Sequence, residues 1–341
     1  MPRRLVLLGS DEIALPAFAA ARALPDTEVV AVYSQPDRPA GRGQEVRPNP
    51  VAAWARAEGL MLLQPEKLEA ADAAHLVSLQ TDLGVVMAYG QLLKEDFLAA
   101  PRLGFVNFHG SLLPELRGAT PVEGALALGL VETGVSMQQV VRRLDAGPIH
   151  AAARTRIQPG EGRAALRARL GIIAGELATA ALPSVLAATS VAVPQDEAKV
   201  TYARRLTRAD APLDFRQPAV VLRQRILSVE GWPGSTFDHR AALIKVGAAT
   251  VEDSVAAAAP GTIVAADRAG VSIACGQGLL VVTHLQRPGG KMLPAGEFLA
   301  GYPLVVGEVL ASAEMPAFVS DRPFPRAPKA YRLISPRRWM S

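Results

Sequence analysis

Through the first 110 residues, short apolar runs alternate with helical periods. Residues 5–8, 29–33 and 83–88 are short apolar runs, and 105–108 is another interrupted only by Asn107, the pattern of parallel strands buried on both faces. Between them, residues 13–23, 50–58, 70–79 and 95–99 read as helices that cover a sheet. Strand-helix alternation of this kind predicts an α/β domain with a Rossmann-like, doubly wound, mostly parallel sheet. Ligands of such a sheet bind at the carboxyl ends of its strands. A helix is expected at 121–130 and strands at 134–141 and 149–157. A long Ala- and Leu-rich helix follows at 161–186, in which Gly171 and Gly175 allow a close neighbour.

Residues 190–206 are polar, contain Pro194 and hold no sustained period, so they read as a linker. Beyond them a helix at 217–228 precedes short strands near 234–239, 241–249, 261–266, 270–275 and 279–285. Gly, Pro and Asp turns separate these strands, which predicts a small β-barrel. The expected division is a catalytic domain at 1–189, a linker at 190–206, a barrel domain at 207–314 and a tail at 315–341.

A length of 341 residues exceeds what one core usually holds, in keeping with two domains. No apolar run approaches the ~18 residues of a membrane span. The apolar run behind Arg3 and Arg4 is shorter than the ~7–15 residues of a signal peptide core. A cytoplasmic monomer with no membrane partner is the expectation. Cys275 is the one cysteine, which excludes an internal disulfide and a cysteine-rich zinc site. It sits in an apolar strand and is expected to be inert core. No His, Cys and carboxylate cluster has ligand spacing, so no metal is expected.

Charge is uneven along the chain. Residues 1–206 carry 21 basic and 21 acidic groups and residues 207–314 carry 9 and 10, whereas residues 315–341 carry 6 and 1. The basic excess therefore lies in the proline-rich tail. Three roles fit the tail. It could meet polyanion phosphates through Arg322, Arg326, Lys329, Arg332, Arg337 and Arg338. It could be a solvated extension. It could also be a strap, with Phe318, Phe324, Tyr331 and Trp339 packed on the barrel.

The candidate chemistry centres on Asn107 and His109, two apart at the end of a predicted strand, so that both side chains point the same way. Gly110 frees the backbone and Pro114 ends the strand. Asp145 follows a later strand, in a turn with Gly147 and Pro148. An amide can donate to an oxyanion, an imidazole can move a proton, and a carboxylate can fix the imidazole's state. A lone His or Asp at a strand end is ordinarily just a satisfied polar residue, so this trio counts only in company. The first turn, Gly9 to Glu12, lacks the glycines of a dinucleotide fingerprint, which disfavours a nicotinamide cofactor. The loop 34–49 sets Arg38, Arg42 and Arg47 among prolines and glycines, a composition suited to phosphate contacts.

Together these stretches resemble the methionyl-tRNA formyltransferase family. The resemblance rests on Ser34-Gln-Pro-Asp-Arg-Pro-Ala-Gly-Arg-Gly43, on the run from Asn107 to Pro121 with Glu132 to Gly134 and Leu144 to Gly147, and on Gly231-Trp-Pro233 and Ala259 to Thr262. It spans roughly residues 4–310 and implies an oligonucleotide-fold barrel as the second domain. It also implies formyl transfer from 10-formyltetrahydrofolate to the α-amine of methionine on charged initiator tRNA. Asn107, His109 and Asp145 would be catalytic. Ser111, Leu112, Leu113 and Pro114 would lie against the folate, and the backbone of Met87, Ala88, Tyr89 and Gly90 would bind the pterin edge. Arg42, with Arg38 and Arg47, would contact RNA. Two positions depart from the family pattern: Ser10-Asp11, where Thr-Pro is usual, and Glu123-Gly124, where a glutamine and a basic residue often stand. Two other functions fit the residues. An N-formyltransferase acting on a nucleotide-linked amino sugar would share the trio without needing the arginine loop. A non-catalytic RNA-binding module would have no use for the trio.

Overall fold

The computed structural model describes residues 1–40, 45–254 and 258–325. Seven strands form the first sheet, in the spatial order Ile149–Arg156, Glu132–Gln139, Phe105–His109, Leu83–Val86, Arg3–Leu8, Thr27–Tyr33, Leu62–Leu63. The five strands from Phe105–His109 to Leu62–Leu63 pair in parallel, and the other two add antiparallel edges. Alternate residues of Arg3–Leu8 feed opposite layers, as a doubly covered strand requires. Leu5 and Leu7 join the core under the helices Leu15–Ala23 and Arg163–Leu186. Val6 and Leu8 join Leu76 and Phe97 from the helices Ala70–Ser78 and Glu95–Leu98 on the other face. The chain leaves Arg3–Leu8 towards one sheet edge and later returns on its other side. A crevice at the carboxyl ends of the strands results from that switch.

The long helix Arg163–Leu186 is apolar enough to pass for a membrane span by composition, but its buried face belongs to the first core. Its glycines serve close packing. A Cβ on Gly171 or Gly175 would stand 3.0 Å from the carbonyl oxygen of Ile13 or Pro16.

In the second domain the helix Ala219–Ser228 packs on an antiparallel sheet ordered Ser235–His239, Ala242–Glu252, Leu279–Gln286, Val271–Ala274, Ile263–Ala266. Register shifts on either side of Ala248 mark irregularities of the kind that bend a strand, and the sheet curls as the barrel reading anticipates. Cys275 is buried in this core, and burial pushes its thiol up to about 11. The short helix Ala295–Gly301 has no signal in the apolar pattern.

Three segments differ from their sequence reading. The loop 34–49 contains a two-stranded hairpin of Arg38–Ala40 and Glu45–Arg47, and Arg42 lies outside the described residues. The stretch 190–206 is built into the first domain. Val193 bridges Ile149, and Tyr202–Ala203 pairs with Arg117–Gly118. The tail begins as a docked segment. Phe318 is buried with Leu206 and Val229, and Val319–Ser320 pairs with Tyr202–Ala203. Arg326, Lys329, Tyr331, Arg332, Arg337, Arg338 and Trp339 lie outside the described residues.

Candidate active site

A cavity of about 730 Å³ opens at the carboxyl ends of the central strands. The turn after Leu83–Val86 lines it, and so do Asn107, His109 and Asp145. The helix Pro121–Ala127 contributes Glu123 on the far side, beside Arg163, Arg167 and Trp232.

His109 is buried, and its Nε2 lies 2.8 Å from the Leu116 carbonyl. A carbonyl only accepts, so Nε2 carries the proton and Nδ1 is left for the cavity. Nδ1 stands 3.8 Å from Asp145 Oδ1, within ion-pair range but beyond a hydrogen bond. The carboxylate of Asp145 is itself fixed by two donors. The Gly118 N–H donates to Oδ2 at 2.8 Å, and Gln138 Nε2 donates to Oδ1 at 3.0 Å. Asp145 adopts φ +45°, a left-handed conformation that Asp tolerates in turns. The Asn107 amide lines the cavity and has no hydrogen-bond partner among the described residues. The three predicted catalytic side chains are therefore together, with Asn107 available to a ligand oxygen.

Strand register explains part of this. Asn107 is the cross-strand partner of Gln138 on Glu132–Gln139, so both project to one face. Gln138 in turn reaches the Asp145 turn. Behind that turn Gln195 Nε2 donates to the carbonyls of Asp145 at 2.9 Å and Gly147 at 2.7 Å, and to Gln138 Oε1 at 3.2 Å. Gln195 Oε1 accepts from Arg117 Nη2 at 2.7 Å and Nε at 3.1 Å. Arg117 is fully buried and also pairs with Glu197 at 2.9 Å. The sequence reading missed Gln138, Gln195 and Arg117. Gln138 sits in a strand that also carries Glu132, Thr133, Ser136 and Gln139, so it did not stand out, and Gln195 in a polar connector gave no signal.

The two departures from the family pattern meet in space. Arg167 Nη2 lies 2.8 Å from Asp11 Oδ1, and its Nη1 lies 3.5 Å from Glu123 Oε1. Arg163 Nε donates to the same Glu123 oxygen at 2.7 Å. Glu123 is buried, so its charge requires these guanidiniums. Asp11 and Glu123 thus form one ionic cluster on the cavity wall. Arg163 Nη1 also donates to the Glu230 and Trp232 carbonyls and ties that wall to the second domain.

Met87, Ala88, Tyr89 and Gly90 line the cavity. The Tyr89 carbonyl accepts from Ser10 Oγ and Gln35 Nε2, which fixes the turn. Ser111, Leu112, Leu113 and Pro114 are not brought to the cavity. Ser136 Oγ donates to the Ser111 carbonyl at 2.8 Å and accepts from the Leu113 N–H at 3.0 Å, so this turn braces the floor behind His109. Arg38 and Arg47 face each other across the hairpin, and each is exposed and paired, with Glu66 and Glu45. Neither lines the cavity.

Comparison with known proteins agrees with this architecture. Residues 5–209 match the formyl transferase family model, and residues 205–303 match that of the formyl transferase C-terminal domain. The chain is 41% identical over 320 residues to the methionyl-tRNA formyltransferase of Burkholderia multivorans, covering 90% of this chain and 97% of that protein. It is 39% identical over 305 residues to that of Myxococcus xanthus, covering 89% and 96%. Among solved structures, an N-formyltransferase from Helicobacter canadensis in complex with folinic acid and dTDP-3-aminofucose superposes with a TM-score of 0.62 at 14% identity, covering 83% of this chain and 99% of that one. HypX from Aquifex aeolicus gives 0.59 at 14% identity, covering 90% and 49%. At such identity these two structures speak to the fold alone. With both domain models and full-length relatives matched, the chain belongs to the formyl transferase family, among the methionyl-tRNA formyltransferases.

Proposed function

We infer that this protein transfers the formyl group of 10-formyltetrahydrofolate to the α-amine of methionine charged on initiator tRNA, the step that prepares the initiator for translation. The observation that carries this reading is the meeting of Asn107, His109 and Asp145 in one cavity of a chain 41% identical to a methionyl-tRNA formyltransferase over 90% of its length.

The chemistry follows from the geometry. The amine nitrogen attacks the formyl carbon, and the carbonyl π electrons move onto oxygen. Asn107 donates an amide N–H to that oxyanion. His109, its Nε2–H committed to Leu116, offers Nδ1 to the reacting atoms. Asp145 Oδ1, 3.8 Å from Nδ1, takes the proton that the amine sheds. Collapse of the intermediate breaks the bond from carbon to the folate nitrogen, which leaves with the proton that Asp145 held, returned by way of His109 Nδ1. The pterin edge rests on backbone groups of the turn Met87 to Gly90. Arg38, Arg42 and Arg47 meet phosphates of the tRNA.

An assay with one formyl donor and three acceptors tests this: charged initiator tRNA, charged elongator tRNA and a nucleotide-linked amino sugar. Transfer should be fastest to the initiator. Preferential transfer to the amino sugar would overturn the reading, as would salt-dependent tRNA binding with no transfer.

A further inference from the structure

Residues 316–320 run from the second domain to the back of the active site, beyond the C-terminal domain match that ends at residue 303. Three anchors hold them. Phe318 is 2% exposed between Leu206 and Val229. Arg225 Nη2 donates to the Pro316 carbonyl at 3.2 Å, and its guanidinium lies 4.6 Å from the Phe318 ring centre. Arg204 donates through Nε to the Ala317 carbonyl and through its backbone N–H to the Phe318 carbonyl, both at 3.0 Å.

The segment then enters a three-stranded sheet. Val319–Ser320 is antiparallel to Tyr202–Ala203, which is parallel to Arg117–Gly118. That last strand and its neighbour hold the reacting groups. The Leu116 carbonyl accepts the hydrogen bond of His109 Nε2–H, and the Gly118 N–H donates to Asp145. Val319 packs in the same apolar cluster as Leu116, Ala125 and Ala203. A Cβ on Gly124 would come within 2.9 Å of Leu116 Cδ2 and 3.3 Å of Val319 Cγ2. A glycine inside a helix costs about 0.5–1 kcal/mol relative to alanine. Here it leaves the room that Val319 and Leu116 occupy, so a glycine at 124 and the docked segment fit one another.

We propose that residues 316–320 are a positioning strap. They fix the segment from Leu116 to Gly118, and through it the His109 ring and the Asp145 carboxylate. The proposal rests on the reading of those two groups as the reacting ones. It concerns positioning residues, since none of the five touches the cavity.

The test compares four chains: the parent, a control truncated after Pro325, a chain truncated after Glu314, and full-length Val319→Ala. The control keeps the strap and should match the parent in kcat. Truncation after Glu314 should lower kcat roughly tenfold, the scale set by small displacements of catalytic groups, with KM for the folate donor within about twofold. Val319→Ala keeps the Phe318 anchor and the fold, and should lower kcat by roughly threefold while shifting the His109 ring resonances in NMR spectra. Parent-like kcat and parent-like His109 resonances in Val319→Ala would overturn the strap, as would an equal loss in the control. The NMR readout needs no acceptor, so it separates failure of the strap from failure of the assigned substrate.

Discussion

Replacing Gln195 with leucine removes a side chain that reaches both the Asp145 turn and a buried arginine. Its Nε2 holds the Asp145 and Gly147 carbonyls, and its Oε1 takes two N–H groups of Arg117. The Asp145 carbonyl lies on a partly exposed turn and regains water at small cost, whereas Gly147 is buried and its carbonyl loses a donor. Arg117 is fully buried, and a hydrogen bond to a charged group is worth about 1.5–3 kcal/mol. Glu197 still pairs with Arg117 at 2.9 Å, so the charge is not abandoned. The expected loss of stability is about 2–4 kcal/mol, and alanine should cost less because water can enter the space. Gly118 and Gln138 still hold the Asp145 carboxylate, so kcat should fall roughly tenfold rather than vanish. Urea unfolding with linear extrapolation gives the first quantity, and transfer at saturating substrates gives the second. Lost stability with kcat within about twofold of the parent would refute the claim that this network positions Asp145.

Two further outcomes follow. Burial works to raise the Asp210 carboxyl, but hydrogen bonds from Arg204 and the Thr207 N–H, with the charges of Arg204 and Arg225, hold it below its ordinary value. A depressed folded value means the stabilisation is complete above the unfolded pKa near ~3.9 and is lost as pH falls through the folded one. Thermal melts should therefore show Asp210→Asn less stable at neutral pH and with a shallower decline below about pH 4 than the parent; equal slopes would contradict this. Arg42→Ala should raise KM for tRNA, leave folate binding unchanged and flatten the salt dependence by about one unit of log–log slope, whereas unchanged tRNA kinetics would make the hairpin a plain surface feature.

How much of this could be read from the chain depended on whether a local pattern encoded it. Residues 5–8 are buried on both faces of the sheet, and an unbroken apolar run is the mark of that burial; Phe105, Val106 and Phe108 repeat it, interrupted only by the half-buried Asn107. Asn107 and His109 were readable because a strand places positions two apart on one face. Gln195 was not, since nothing in a polar connector reveals partners some fifty residues upstream. A strap was one of three roles open for the tail, on the strength of Phe318, but its pairing partner was not readable. Val319–Ser320 is too short to show a period, and two of its three anchors are backbone carbonyls held by Arg204 and Arg225. Asp11 and Glu123 looked like separate anomalies until Arg167 was seen between them. The turn from Ser111 to Pro114, expected at the folate by resemblance, is held by hydrogen bonds to Ser136 and within itself to Glu115.

The central claim is that Asn107 and His109 stabilise the transition state of formyl transfer. Its most direct test is the single-turnover rate of transfer from 10-formyltetrahydrofolate to charged initiator tRNA in Asn107→Ala and His109→Ala. Each rate should fall roughly 10²–10³-fold, the loss typical of one oxyanion donor for Asn107 and of one proton-transfer group for His109, while folate affinity stays near that of the parent. Parent-like turnover in either variant, with the fold intact, would contradict the account.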